Sequence, residues 1–519
     1  MLTKTDLQSL RQCPRKLWLE HFKPGLVPRD EPSLHRRAAD GAIVGDKARE
    51  ALGDGALWLA GGADKTHAAS AAVVALRARP DAAAVEVPFV REDLYARADA
   101  LLPAFNGYVL QETKASTFPR KNDKVTPDKP EAHYLEDVAI QAWAMETSGL
   151  TMARAELNLL DSQWTYPGGN DYAGLFRQMD VTESVKLIAP SVPTWIDNAH
   201  AVLAGQMPPA CTGRQCKEPY PCPFIFHCKA LDPPGPEHPL TLLPDSAGKN
   251  LAKKLRIRGY ESLLDVPPRE MAGKQSALYL RIQAAHRSGA AILEPGADAF
   301  MAQLPYPRYY FDFEGIDLPV PKWPGVKPYE QIPFQWSCHI ERSPGAFEHA
   351  AFLDLTGNDP SLDCILQMKR VIDVEDGGPI IVYYQTYEKG RLEGLAMRHA
   401  DHAGALNRYI QRLVDLHPLV KDHFYDPRMM GSFSIKKVLP VIAPELKYTE
   451  LEEVQEGTGA QVAYLYACFD EATSPERKAE LRHRLLAYCE QDTWAMVEIG
   501  WFLEGRGRPS DRRPSIDLA

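Results

Sequence analysis

Three groups of residues in this 519-residue chain have types and spacings that could do chemistry. The first is Asp99, Glu112 and Lys114. The run YARADALLPAFNGYVLQETKAS reads as strand, Asn106-Gly107 turn, strand. Glu112 and Lys114, two apart, then share one strand face, and Asp99 faces them across the turn. Two carboxylates and a lysine so placed can bind a divalent metal, activate water and stabilise a phosphate transition state. Glu86 on the preceding strand is a further candidate ligand. Taken alone, Glu-x-Lys is more often an ion pair on a solvated sheet.

The second group is cysteine. Cys13 lies in RQCPRKLWLE, and Cys211, Cys216, Cys222 and Cys228 follow one another as C-TGRQ-C-KEPYP-C-PFIFH-C. Four thiolates can hold a zinc ion or an iron–sulfur cluster. Cysteine also serves as a small buried hydrophobe, but the prolines around Cys222 and Cys228 do not suit a core helix. Cys338, Cys364, Cys468 and Cys489 read as ordinary core or surface thiols. The third group is acidic. Asp312 and Glu314 share a strand face in YYFDFEG, Glu388 follows a strand in VYYQTYE, and Tyr488 and Asp492 share a helix face in YCEQD. Four converging acids repel one another unless cations join them. Two divalent ions about 3.5–4 Å apart drive in-line displacement at phosphorus, and Tyr488 can orient the attacking water. Each piece alone is more often surface, but aromatic neighbours set the Asp312 strand beside a core.

Several elements must position these groups. Leu7, Leu10, Leu17 and Trp18 predict a helical opening, followed by alanine-rich helices (GAIVGDKAREAL, HAASAAVVALRARP) and a strand, AAVEVPFV. After the hairpin, EDVAIQAWAMETSG predicts a helix. The proline-rich run 232–243 predicts a boundary. The expected plan is an α/β protein with a first domain over 1–235, a short helical connector over 244–300, a mixed α/β domain over 301–505 and a disordered tail over 506–519. The length is too great for one core. With 45% hydrophobic residues, global disorder is excluded. No apolar run approaches the roughly 18–20 residues of a membrane helix, and the N-terminus lacks an apolar signal core, so a cytoplasmic location is expected. A net charge of -10 excludes a general nucleic-acid coat, though not an enzyme with local sites.

The order Asp, hairpin, Glu-x-Lys, then a helix bearing Gln141 resembles the RecB-like branch of the PD-(D/E)xK nucleases over roughly residues 1–230. The resemblance implies a restriction-endonuclease-like fold, with Asp99 and Glu112 as metal ligands, Lys114 assisting catalysis and Gln141 in the site. Two positions depart from it: Gly45 stands where the family carries a histidine, and Met145 where it carries a tyrosine. The cysteines are similar to those of the AddB type and the CRISPR-associated RecB-like exonucleases. That likeness implies a [4Fe–4S] cluster on Cys13, Cys216, Cys222 and Cys228. Cys211 stays open as an alternative to Cys216, because the spacing to Cys222 is wider than usual. Such a staple closes a loop of about 200 residues and, by analogy with a disulfide, is worth several kcal/mol.

The strand Asp-x-Glu, the segment Tyr384 to Glu388 and the helix Tyr488-x-x-x-Asp492 resemble the DEDD exonucleases of the ribonuclease H-like superfamily. In the second motif Glu388 replaces aspartate and Tyr384 replaces asparagine. The resemblance implies an RNase H-like domain in which Asp312, Glu314, Glu388 and Asp492 hold Mg2+ or Mn2+ and Tyr488 assists. GSFSIKKVLP (431–440) looks like the segment after the second motif, where Ser and Lys can contact phosphate or Ser432 or Ser434 can cap a helix. The connector looks like a degenerate helix–hairpin–helix, whose Lys249, Lys253, Lys254, Arg256 and Arg258 either track a phosphate backbone or simply face water. The whole arrangement is similar to a family of bacterial predicted RecB-type nucleases. The implied activity is metal-dependent hydrolysis of DNA at ends or single strands, in 3′–5′ polarity, in repair or defence. An RNA-processing exoribonuclease and a noncatalytic Fe–S nucleic-acid-binding scaffold are the alternatives.

Overall fold

A computed structural model describes residues 1–28, 32–59, 61–119, 129–446 and 457–507. The chain is mixed α/β and divides into two compact units, Met1–Pro233 with Leu318–Glu330, and Pro234–Asp317 with Gln331–Ala519. The division falls at the expected proline-rich break. Two assignments differ from expectation. The helices of 244–300 are not a separate connector: Leu255, Leu263, Tyr279 and Ile282 share one core with Tyr310, Val420 and Trp494 of the second unit. Each of these short helices has only one apolar face, too little to enclose a core alone. Conversely, Leu318–Glu330, expected in the C-terminal domain, belongs to the first unit. Val320 packs with Val44, Leu160 and Leu175, and the Tyr329 hydroxyl donates to the Ala115 carbonyl at 2.7 Å.

In the first unit, strands β1 (Leu2–Thr3), β2 (Leu57–Trp58), β3 (Ala84–Arg91), β4 (Leu94–Ala104), β5 (Gly107–Thr117), β6 (Met152–Leu160) and β7 (Phe176–Asp180) form one mixed sheet. The order is β2-β3-β4-β5-β6-β7, with β1 alongside β4. Helices α1 (Lys4–Gln12), α2 (Pro14–Phe22), α3 (Pro32–Glu50), α4 (Lys65–Ala78) and α5 (Ala132–Thr147) accompany it. The opening is two helices rather than one, because Pro14 drives Cys13 into an extended conformation (φ −166°, ψ 122°) and then starts the next helix. The hairpin turn falls one residue earlier than expected. Ala104 pairs with Gly107, which leaves Phe105 and Asn106 at the tip. Gly107 has φ +125°, and a Cβ there would sit 2.2 Å from the Thr151 carbonyl oxygen.

The second unit contains β8 (Ile292–Leu293), β9 (Arg308–Asp317), β10 (Gln331–Ser343), β11 (Ala346–Leu353), β12 (Ile380–Val382), β13 (Leu413–Asp415) and β14 (Phe424–Tyr425). Its main sheet runs β11-β10-β9-β12-β13, and β14 pairs with β8. Alternation along β9 puts Tyr309, Phe311 and Phe313 in one core and Tyr310 in the other. Asp312 and Glu314 therefore share the Tyr310 face. The helix Pro475–Leu503 begins with the Ser474 hydroxyl accepting from the Arg477 N–H, and its side chains from Tyr488 to Trp501 are all buried. The tail begins later than expected, since Arg506 pairs with Glu341 at 3.0 Å and covers the Trp501 ring at 3.6 Å. Residues 508–519, the rest of the expected tail, lie outside the described residues. Among the described residues, no helix is long and apolar enough to cross a membrane.

Candidate functional site

The hairpin of the first unit brings its expected residues together. The Lys114 ammonium lies 2.7 Å from Glu112 Oε1, and Gln141 on α5 donates to Glu112 Oε2 at 2.7 Å. Asp99 accepts from the Thr113 N–H at 2.8 Å, just past the last paired residues of β4 and β5. Asp99, Glu112, Glu86 and Gly45 line one cavity of about 240 Å³. Two residues the sequence reading missed complete the group. Asp137 on α5 pairs with Lys114, and Lys4 on α1 reaches Glu112 at 3.1 Å and Asp137 at 2.8 Å. Two buried acids thus face two ammonium groups. Burial works against every charge here, yet the lysines hold Asp137 well below the usual carboxylate range. Burial, with Asp137 and Asp99 beside it, pushes Glu112 up to about 7. Glu86 is not a free ligand. Its carboxylate pairs with Arg49 at 2.9 Å and Arg97 at 2.7 Å, and Arg49 lies over Gly45, 3.3 Å from where a Cβ would stand. Met145 is core packing.

Among the described residues, no three cysteine sulfurs lie within 4.8 Å of one another. Cys13, Cys211, Cys216, Cys222 and Cys228 line one small cavity, with Leu19 and Lys16 beside them. Cys216, Cys222 and Cys228 are buried around Phe224, whereas Cys211 is exposed. Gln12 donates to the Gln215 and Tyr220 carbonyls, and Arg15 donates to the Pro208 carbonyl, which ties the Cys13 turn to the later loop. Burial pushes the Cys228 and Cys222 thiols up, while Arg15 and Lys16 respectively favour their thiolates.

In the second unit, Asp312, Glu314 and Asp492 bring ligand oxygens within 4.8 Å of one another. Among the described residues this is the one such cluster of metal donors. Glu314 and Asp492 are buried and Asp312 is half-buried. Burial and the Asp492 carboxylate push Glu314 up to about 8 and drive Asp312 well above its ordinary value. Glu388 stands outside the tight three, in the first turn of the helix Gln385–Arg398. Burial pushes it up to about 8, its charge reaches both Asp312 and Glu314, and its Oε2 is buried without a hydrogen-bond partner. Tyr488 is buried on the helix face that carries Asp492.

Several further residues surround this cluster. The Lys436 ammonium, in the run marked for phosphate contact, sits 5.3 Å over the Tyr488 ring and draws Glu314 downward. Ser434 precedes that helix, but its side chain makes no cap bond. Cys489, read as an ordinary thiol, lies 3.5 Å from Asp312 Oδ2. Gly315 is required by close approach, since a Cβ there would meet the Tyr387 hydroxyl at 2.9 Å. Lys249, Lys253, Lys254 and Arg256 are exposed on the helix Asp245–Ile257, and Arg258 pairs with Glu270.

Residues 309–434 match a family described as Domain of unknown function (DUF2779). The match includes Asp312, Glu314 and Glu388 and stops before Tyr488 and Asp492. The chain is 27% identical over 233 residues to the Uncharacterized protein UU173 of Ureaplasma parvum serovar 3. That alignment takes in 41% of this chain and 33% of the relative, so the chain spans about a third of the relative's length. A solved structure titled "Crystal structure of SSO0001" aligns with 44% of this chain and 86% of its own, at 17% identity and a TM-score of 0.25.

Proposed function

We propose that this chain is a metal-dependent nuclease whose catalytic centre is the carboxylate group of the second unit. The observation that carries the reading is the convergence of the Asp312, Glu314 and Asp492 oxygens within 4.8 Å, with Glu314 and Asp492 buried. The unpartnered Glu388 Oε2 is a further oxygen donor beside them. Hard oxygen donors of this kind suit Mg2+ or Mn2+, which when bound supply Lewis acidity and a water of lowered pKa. In this reading the second unit is an RNase H-like exonuclease domain of the DEDD type. Tyr488 orients the water, Lys436 faces the phosphate, and the Cys489 thiol holds Asp312 in place. The substrate is DNA, taken at ends or single strands in repair or defence, with RNA as the alternative. The test is degradation of matched labelled DNA and RNA strands with Mn2+, using the parent and an Asp312→Ala, Glu314→Ala double variant. Equal rates for the two proteins would remove this centre from the chemistry.

The first unit, in the same reading, is a PD-(D/E)xK-like domain that holds nucleic acid rather than cutting it. Glu112 has both oxygens engaged by Lys4, Lys114 and Gln141, and Arg49 lies over Gly45, where the family places its histidine. A [4Fe–4S] cluster on Cys13, Cys216, Cys222 and Cys228 would staple the ends of this unit. Three buried thiols and Cys13, facing one cavity with basic residues nearby, suit thiolate ligation. Exposed Cys211 is the spare. Anaerobic purification is expected to give a brown protein absorbing near 400 nm, with iron lost in Cys216→Ala and kept in Cys211→Ala. Stoichiometric zinc without iron would overturn this assignment.

A further inference from the structure

Tyr384 has a backbone that a tyrosine rarely adopts. It stands before the helix Gln385–Arg398 with φ +69° and ψ +63°, in the left-handed region that disfavours a bulky L side chain. The conformation is held from one side. The Asp415 carboxylate accepts from the N–H groups of Tyr384 at 3.0 Å, Gln385 at 3.0 Å and His417 at 2.9 Å. Strain that the surroundings hold in place in this way is characteristic of functional positions.

The consequence is where the ring goes. Tyr384 is 48% exposed, and its ring stacks on His417 with centroids 3.8 Å apart and planes 23° from parallel. The edge of His417 meets Tyr383, whose hydroxyl is anchored on the Phe433 carbonyl. His417 Nε2 is buried without a hydrogen-bond partner. The stack therefore has one supported face and one open face, and it stands one helical turn before Glu388. The charged groups around it are Asp415, Asp245 and Asp422, with Lys421 paired to Asp245. An acidic border repels phosphate, whereas a flat, uncharged ring can lie on an aromatic face.

We propose that Tyr384 and His417 form a stacking platform for the base of the strand-terminal nucleotide, beside the carboxylates that act on its phosphodiester. The platform rests on the nuclease reading of that centre and adds what holds the substrate's end. Because every base has a flat face, it takes any of them and supplies position rather than sequence choice.

The test uses the full chain and short single-stranded DNA carrying 2-aminopurine at its 3′ terminus, with Ca2+ in place of Mg2+ or Mn2+. The wild type is expected to quench the terminal 2-aminopurine. Tyr384→Gly, which takes a positive φ without strain, is expected to abolish the quench and weaken binding roughly five- to a hundredfold. Tyr384→Trp is expected to keep both. A strand ending in an abasic site is expected to bind wild type and Tyr384→Gly equally. The platform is overturned if Tyr384→Gly still quenches, or if it loses as much affinity for the abasic strand as for the base-bearing one. Cleavage with Mn2+, run in parallel, separates the two claims. A chain that quenches through Tyr384 but never cuts refutes the nuclease and leaves the platform. A chain that cuts with no dependence on Tyr384 refutes the platform alone.

Discussion

Two clusters of buried acid in this protein solve the same electrostatic problem differently. In the first unit, Glu112 and Asp137 face Lys4 and Lys114, so the chain supplies its own cations. In the second unit, the four acids Asp312, Glu314, Asp492 and Glu388 gather with the cations Lys436 and Arg391 acting on them. A balanced quartet is complete as it stands, whereas an unbalanced one is costly until cations arrive. In the proposed reading the first cluster is complete as it stands, and the second is completed by metal.

The largest test of that contrast is catalytic. Asp312→Ala with Glu314→Ala is expected to lower Mn2+-dependent strand cleavage by more than about a hundredfold, because the metal site supplies several kcal/mol of transition-state stabilisation. Lys114→Ala is expected to leave the rate per bound substrate within about threefold and to raise KM, as loss of a substrate-holding group does. If Lys114→Ala abolishes cleavage as thoroughly as the double variant, both clusters cut and the contrast is gone.

Stability should move in opposite directions. Lys4→Met leaves a buried acid uncompensated and is expected to cost about 3 kcal/mol in denaturant unfolding of the first unit. Above about pH 8, where its neighbours ionise, Asp312→Asn removes repulsion and is expected to raise metal-free stability of the second unit by about 1 kcal/mol while abolishing the stabilisation that Mn2+ gives the parent. A destabilised Asp312→Asn would show that the acids are balanced by contacts other than metal.

The acids of the second unit could be read ahead of the structure because their spacing is local. Asp312 and Glu314 differ by a strand's period of two, and Tyr488 and Asp492 by one helical turn, so each pair needed only its own element. Lys4 and Asp137 could not be read this way. Lys4 meets Glu112 across 108 residues, and nothing near either marks the other. The same limit moved 244–300 into the second unit and 318–330 into the first, since which core receives a short apolar face is decided by distant partners. Cys489 was passed over for a different reason. A buried thiol and a thiol aimed at a carboxylate look alike in sequence.

The pH dependence of stability is the next effect. Glu314 and Glu388 have folded values of about 8 against an ordinary 4.5, so the folded state holds more protons than the unfolded one between those limits. Their stabilisation is complete below about pH 4.5 and fades as pH rises toward 8. Without metal, the second unit is expected to lose several kcal/mol between pH 5 and pH 8, read as a marked fall in Tm. Saturating Mn2+ is expected to flatten that slope. The first unit behaves otherwise. Glu112 loses its contribution on the way to about 7, but Asp137 is held low, so its contribution is present above the ordinary 3.8 and lost only in strong acid. Lys4 and Lys114 are held high, so theirs persists below 10.5. Between pH 7 and 10 the quartet should be nearly insensitive. A slope in the second unit that Mn2+ leaves unchanged would mean that its acids are not the metal ligands.

The smallest effect separates reach from charge at Glu388. This residue starts its helix outside the tight three, and Tyr384 and Asp415 fix the helix end from which it projects. Its longer arm compensates for that distance, so shortening it by one bond of about 1.5 Å withdraws the carboxylate from Asp312 and Glu314. Glu388→Asp is therefore expected to lower kcat about tenfold at saturating Mn2+, although it restores the residue type of the motif that this segment resembles. Glu388→Gln keeps the length and removes the charge, and should fall further. An aspartate variant as fast as the parent would mean that the three tight acids suffice and that Glu388 contributes charge from a distance without ligating.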